Sequence, residues 1–152
     1  MTRSEISNGS WTIPAVRYKT GAEVTLPLSG AAKKVLTEVP HIQGCEYVFS
    51  TDARNPVSGF STFKLKFDIA CGVKNWRLHD LRRTARSLMS RAGANPDIAE
   101  RCLGHTIGGV RGVYDRHQYL EEMRHAFEKL ASLIETIVRQ EPNVIPMERV
   151  SG

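Results

Sequence analysis

Four residues in the second half of the chain have the types and spacing that chemistry at a phosphate requires. His79 and Arg82 form an HxxR pair in HDLRRT, His105 ends the tripeptide LGH, and Tyr114 follows nine residues later in the basic, glycine-broken stretch LGHTIGGVRGVYDRH. Phosphoryl transfer needs a nucleophile and cationic donors spread around the equatorial oxygens of the transferring group. A phenol serves as that nucleophile when nearby cations favour phenolate over its ordinary pKa of about 10. A guanidinium fork matches a phosphate with two parallel hydrogen bonds. Taken singly, each residue has a plain structural explanation, because a helical histidine packs, surface arginines are solvated, and a tyrosine near a helix start is core. Only the set points to chemistry.

These residues need elements to hold them. Wound at about 100° per residue with His79 at zero, HDLRRTARSLMSRAG places Leu81, Ala85, Leu88, Met89 and Ala92 between about 180° and 280°. Arg83, Arg86 and Ser90 fall within about 40° of His79, and Arg82 about 60° away, so one helix face is core and the other carries the histidine and arginines. Asn95, Pro96 and Asp97 read as an N-cap, a first-turn proline and a first-turn acid, opening a short helix that runs to about Leu103 and ends at Gly104. Leu120, Met123, Phe127, Leu130, Ile134, Ile137 and Val138 recur at helical spacing, predicting a long amphipathic helix from Gln118 to Arg139. Upstream, residues 10–29 read as a β-hairpin with a short loop at Lys19-Thr20-Gly21-Ala22. Ser29 or Gly30 caps a helix through AAKKVLTEV that Pro40 stops, residues 41–57 form a loop around YVF, and a further helix runs from about Ser58 to Cys71, ended by Gly72. The fold class is mainly α with a small antiparallel β-sheet (α+β). The tail NVIPMERVSG shows no periodicity.

The 152 residues suffice for one domain with a real core. No apolar run reaches the length of a bilayer span, and the start MTRSEISNGSW lacks the apolar stretch of a signal peptide. Cys45, Cys71 and Cys102 form neither a CxxC pair nor an even set, which reads as reduced, buried thiols of a cytoplasmic protein. The net charge of +5 is unevenly placed: residues 61–116 hold 11 Lys plus Arg against 5 Asp plus Glu, and residues 117–152 hold 4 against 6. A localised cationic segment suits a phosphate backbone, whose neutralisation releases counterions. Charge alone leaves a solvated basic face as the other reading.

The ordered set HDLRRT, LGH and VYD resembles the catalytic domain of the tyrosine recombinases, the phage integrase family. Upstream, WTIPAVRYKTGAEVTLPLS is similar to that family's hairpin, in which a lysine before a Thr-Gly turn contacts DNA. The resemblance covers roughly residues 1–135. It implies the recombinase catalytic-domain fold over residues 1–140, with 141–152 as a flexible tail or one exchanged into a neighbouring protomer through Val144, Ile145 and Met147. It also implies that Tyr114 attacks a scissile phosphodiester to give a 3′-phosphotyrosyl bond and a free 5′-hydroxyl. Arg82 and His105 match groups on the nonbridging oxygens, His79 a group for proton handling or further phosphate stabilisation, and Lys19 the general acid on the leaving 5′-oxygen. Arg83, Arg86 and Arg111 are candidate DNA contacts. The implied partners are a double-stranded DNA recombination site and, at full length, three further copies in a tetrameric synapse. Neither metal, nucleotide cofactor nor membrane enters, since one phosphodiester is exchanged for another. Such an enzyme belongs to a prophage or other mobile element.

The family has another essential arginine, in a helix just before the strand that opens the catalytic sheet. MTRSEISNGSW resembles the segment after that helix and Arg3 does not fit the position, so the expectation is an N-terminally truncated chain with impaired cleavage. A DNA-binding remnant that does not cut is the alternative function. A metal site of His79, His105 and His117 is a third reading, weakened by the lack of a nearby carboxylate or HExxH pattern. Type IB topoisomerases share the chemistry, but the compact spacing and short hairpin look more like integrases.

Overall fold

A computed structural model of the chain describes residues 1–105 and 117–139. Three short antiparallel strands, β1 (Ile6–Ser7), β2 (Ser10–Ile13) and β3 (Val24–Pro27), lie in the order β1-β2-β3. The first turn is the two-residue Asn8-Gly9, both with positive φ (48° and 71°), so Ser7 pairs with Ser10. Asn-Gly is the sequence best suited to such a turn, and it adds a hairpin ahead of the one expected over residues 10–29. β2 and β3 pair from Ser10↔Pro27 to Ile13↔Val24, and the Thr12 and Thr25 hydroxyls meet across them at 3.0 Å.

The expected hairpin of residues 10–29 therefore forms, but its loop is not short. Pro14 has no N–H to give the ladder and its φ is fixed, so pairing stops at Ile13. A 3-10 turn, Ala15–Arg17, follows, and pairing resumes only at Val24, leaving Lys19 on a loop of residues 14–23.

Five α-helices follow among the described residues: α1 (Gly30–Glu38), α2 (Phe60–Cys71), α3 (Leu78–Arg91), α4 (Pro96–Cys102) and α5 (Leu120–Arg139). Together with the three-stranded sheet they give the expected α+β class. The caps explain the boundaries. Ser29 Oγ accepts from the Ala32 amide at 3.2 Å to start α1, and Asn95 Oδ1 accepts from the Asp97 amide at 2.9 Å to start α4, with Pro96 in its first turn. Gly72 and Gly104 adopt left-handed φ values of 70° and 68° just past α2 and α4, where a side chain would be strained.

The core lies where α3, α4 and α5 meet. Met89, Ile98, Ala99, Cys102, Met123, Ala126 and Leu130 are buried there, with Ala85, Leu88 and Phe127 packed alongside and Leu26 of β3 joining from the sheet. Glu128 of α5 accepts the Gly30 amide at 2.8 Å, tying the start of α1 to the same helix. Two expectations about burial fail. Leu81, placed on the core face of α3, is 60% exposed, because α4 and α5 meet only the later turns of that helix. Cys71 is exposed because α2 buries no residue, whereas Cys45 and Cys102 are buried. Burial pushes the Cys102 thiol up to about 12, and its Sγ lies 3.8 Å from the Met123 carbonyl, so it acts as a packing group.

Candidate active site

α3 begins at a corner that its own sequence builds. The backbone amide of Arg77 donates to Asp80 Oδ2 at 2.9 Å, satisfying a donor that the helix end leaves open. That hydrogen bond, and the Arg83 charge against partial burial, holds the Asp80 carboxyl below the usual carboxylate range. His79 stands in this first turn and is exposed. Arg82 and Arg86 follow at one and two turns along, and both are half-buried.

α4 supplies the other wall. Its last turn carries Glu100, and the left-handed Gly104 redirects the chain so that His105 faces α3. The Arg82 Nη2 donates to the Leu103 carbonyl at 2.5 Å and meets His105 Nε2 at 2.7 Å. His105 Nδ1 lies 2.5 Å from Glu100 Oε2, while Glu100 Oε1 accepts from Arg86 Nε at 2.7 Å. The hydrogen bond from Arg86, then that from His105, holds the Glu100 carboxyl below its ordinary range, so it is an ionised acceptor. These partners assign the imidazole tautomer. Arginine only donates and an ionised carboxylate only accepts, so His105 carries its proton on Nδ1 and presents Nε2 as the acceptor.

The result is an open depression of about 430 Å³ lined by His79, Arg82, Arg83, Arg86, Glu100 and His105, among others. Arg82 Nη2 is occupied, and the remaining N–H groups of that guanidinium have no partner among the described residues. Arg83 is mostly in solvent, loosely paired with Asp80 at 3.4 Å. Arg86 differs from the free DNA contact expected of it: besides Glu100 it holds Ser90 Oγ at 2.5 Å. A surface lined by guanidinium and imidazole groups with a single carboxylate is suited to an anion carrying several oxygens.

Three of the five expected catalytic residues, His79, Arg82 and His105, thus share one depression with the expected DNA contacts Arg83 and Arg86. Lys19 is exposed on the loop between β2 and β3 and does not line it. Tyr114 and Arg111 lie outside the described residues. Arg3 sits in the 3-10 turn Arg3–Glu5, its amide donating to the Glu46 carbonyl at 2.9 Å. The three histidines are not gathered into a ligand set, since no group of three or more potential metal-ligating side chains occurs among the described residues. Nor is any described helix long and apolar enough to cross a membrane.

Two contributors were missed in the residue pattern. Glu100 gave a signal, an acid five residues before His105 on a helix that must pack against the arginine face. Tyr18 gave only its position beside Lys19, and its hydroxyl donates to the Gly104 carbonyl at 2.7 Å.

Residues 1–121 match the phage integrase family. The "Prophage integrase IntA" of Escherichia coli (strain K12) is 29% identical over 133 residues, which is 86% of this chain and 32% of that protein. The chain thus spans about a third of that relative's length. No solved structure is significantly similar to it.

Proposed function

We propose, from the premise that this chain belongs to the phage integrase family, that it carries the strand-exchange chemistry of a site-specific DNA recombinase. The observation that carries this reading is the meeting of Arg82 and His105, 2.7 Å apart, in a depression that His79 and Arg83 also line. A scissile phosphate seated there takes the hydrogen bond that Arg82 Nη2 gives His105 Nε2 in its absence, and His105 donates to a second oxygen once that nitrogen, released from Arg82, carries a proton. The phenolic oxygen of Tyr114 attacks phosphorus and its proton passes to a base, for which His79 is the candidate. As the new P–O bond forms, the P–O5′ bond breaks, and Lys19 delivers a proton to the departing oxygen. One phosphodiester replaces another, so the step needs neither a nucleotide cofactor nor a metal.

The proposed substrate is a double-stranded recombination site in a cytoplasmic, prophage-type setting, with four full-length copies forming the synapse. Arg83, and Arg111 beyond it in sequence, contact the DNA backbone. A reading as a DNA-binding remnant is favoured by one observation, that the Arg83 side chain is 75% exposed and available to a phosphate whatever the state of the chemistry.

A nicked suicide oligonucleotide, which loses the strand beyond the scissile phosphate on cleavage, tests the reading. A covalent protein–DNA adduct is expected with the wild-type chain and none with Tyr114→Phe, while gel-shift affinity stays within about twofold because a single uncharged hydroxyl is removed. An adduct that persists in Tyr114→Phe sinks the assignment of the nucleophile. DNA binding without any adduct, even at long times, favours the remnant.

A further inference from the structure

We propose that Tyr18 is a positioning residue, whose phenol fastens the loop bearing Lys19 to the LGH corner bearing His105; for the role of Lys19 this rests on the recombinase reading above. Among the described residues, the loop of residues 14–23 is otherwise held by short-range turns and one ion pair. Arg17 N donates to Pro14 O at 3.0 Å, Tyr18 N to Ala15 O at 3.2 Å and Gly21 N to Tyr18 O at 2.9 Å, and Arg17 pairs with Glu5 beside the sheet. Val16 is 93% exposed, so the loop gains little from apolar burial. Among the described residues, the Tyr18 hydroxyl makes the one hydrogen bond that joins this loop to the helical layer, across 86 positions of sequence.

The receiving corner is shaped for that hydroxyl. A Cβ on Gly104 would lie 2.1 Å from Tyr18 Oη and 3.2 Å from Cζ, far inside contact distance. The glycine of LGH therefore meets two demands at once, a left-handed φ of 68° and an open space that the phenol enters. The same three residues anchor the anion site: Leu103 O accepts from Arg82, Gly104 O from Tyr18, and His105 bonds Arg82 and Glu100. One backbone corner thereby sets both the groups for the nonbridging oxygens and the base of the loop for the leaving oxygen.

A lysine on a flexible stem protonates a leaving group only if its backbone is held, and a displacement of about 1 Å costs on the order of 100-fold. The proposed step moves a proton from Lys19 Nζ to O5′ as P–O5′ breaks. A 5′-bridging sulfur leaves as a thiolate and needs no such proton, because a thiol is far more acidic than an alcohol.

The test is Tyr18→Phe in the full chain, read in two ways. Native-state amide exchange at Arg17, Tyr18 and Gly21, the hydrogen-bonded amides of the loop, is expected to quicken roughly tenfold, with far-ultraviolet circular dichroism unchanged. Adduct formation on the nicked phosphodiester is expected to slow roughly tenfold or more and to return to near the wild-type rate on the 5′-bridging phosphorothiolate, as it does for Lys19→Ala. Unchanged exchange overturns the tether. Equal slowing on both substrates overturns the action through Lys19, since the loss then lies in the phosphate clamp or the fold. If the wild type forms an adduct with neither substrate, the recombinase reading fails and the positioning role with it, while amide exchange still decides whether the tether exists.

Discussion

α2 and α3 are neighbours in sequence and opposites in burial. α2 is the more apolar, with Phe60, Phe63, Leu65, Phe67 and Ile69, yet each of these is exposed and no residue of the helix is buried. α3 is rich in arginine, yet it holds Met89, which at 1% exposure is the largest fully buried side chain among the described residues. The difference is one of partners rather than of hydropathy. Along its later turns α3 meets α4 and α5 in register, whereas α2 finds Trp76, at 6.0 Å between ring centroids from Phe67, with Lys64 4.4 Å from the indole centroid and bonded to Asp68. Burial follows complementary faces, so the polar helix is the one with a buried anchor beneath its site.

The strongest way to break that contrast is to remove the anchor of α3. Met89→Ala leaves a cavity at the meeting of three helices and is expected to lower stability by about 2–5 kcal/mol. For a chain of this length that lowers Tm by roughly 2–4 °C per kcal/mol, and differential scanning calorimetry reads it directly. A loss below about 1 kcal/mol would show that α3 is no better held than α2.

How far this contrast was legible in the sequence can be judged residue by residue. The face of α3 that carries His79, Arg82 and Arg86 was readable because helical periodicity places side chains without knowledge of the partner. The exposure of Leu81 was not, because periodicity gives direction around a helix but not how far along it the partner reaches. The caps at Ser29 and Asn95 were legible, being local hydrogen bonds. The length of the Lys19 loop was misjudged, since Lys-Thr-Gly looks like a turn and Pro14 had already ended the ladder. Glu100 left one sign, its place five residues before His105, but its bond to Arg86, like that of Tyr18 to Gly104, joins separate segments. No local pattern encodes that.

A smaller effect sharpens the comparison at α4, the element that turns the buried layer into a site. Asn95→Ala removes the acceptor of the Asp97 amide and is expected to cost about 1 kcal/mol. The urea midpoint should fall while the slope of the transition holds, since the buried surface is unchanged. A shift in slope would mean that α4 unfolds separately, and that Glu100 and His105 are held by α3 rather than by their own helix.

The smallest expected effect bears on the other side of the contrast. Ile69 is 76% exposed in the last turns of α2, so Ile69→Gln removes an apolar surface that already faces solvent. Substitutions at such positions change stability by no more than about 0.5 kcal/mol, and glutamine is at least as good a helix former as isoleucine. The measured midpoint should therefore stay where it is, with the solubility limit rising as the apolar patch shrinks. Equilibrium urea unfolding at two protein concentrations supplies the decisive control. A loss above about 1 kcal/mol that grows with concentration would mean that the face of α2 is covered in solution, because only a buried isoleucine loses that much on becoming polar. α2 would then owe its exposure to the absence of a partner rather than to its own packing, and its contrast with α3 would become one between two buried helices.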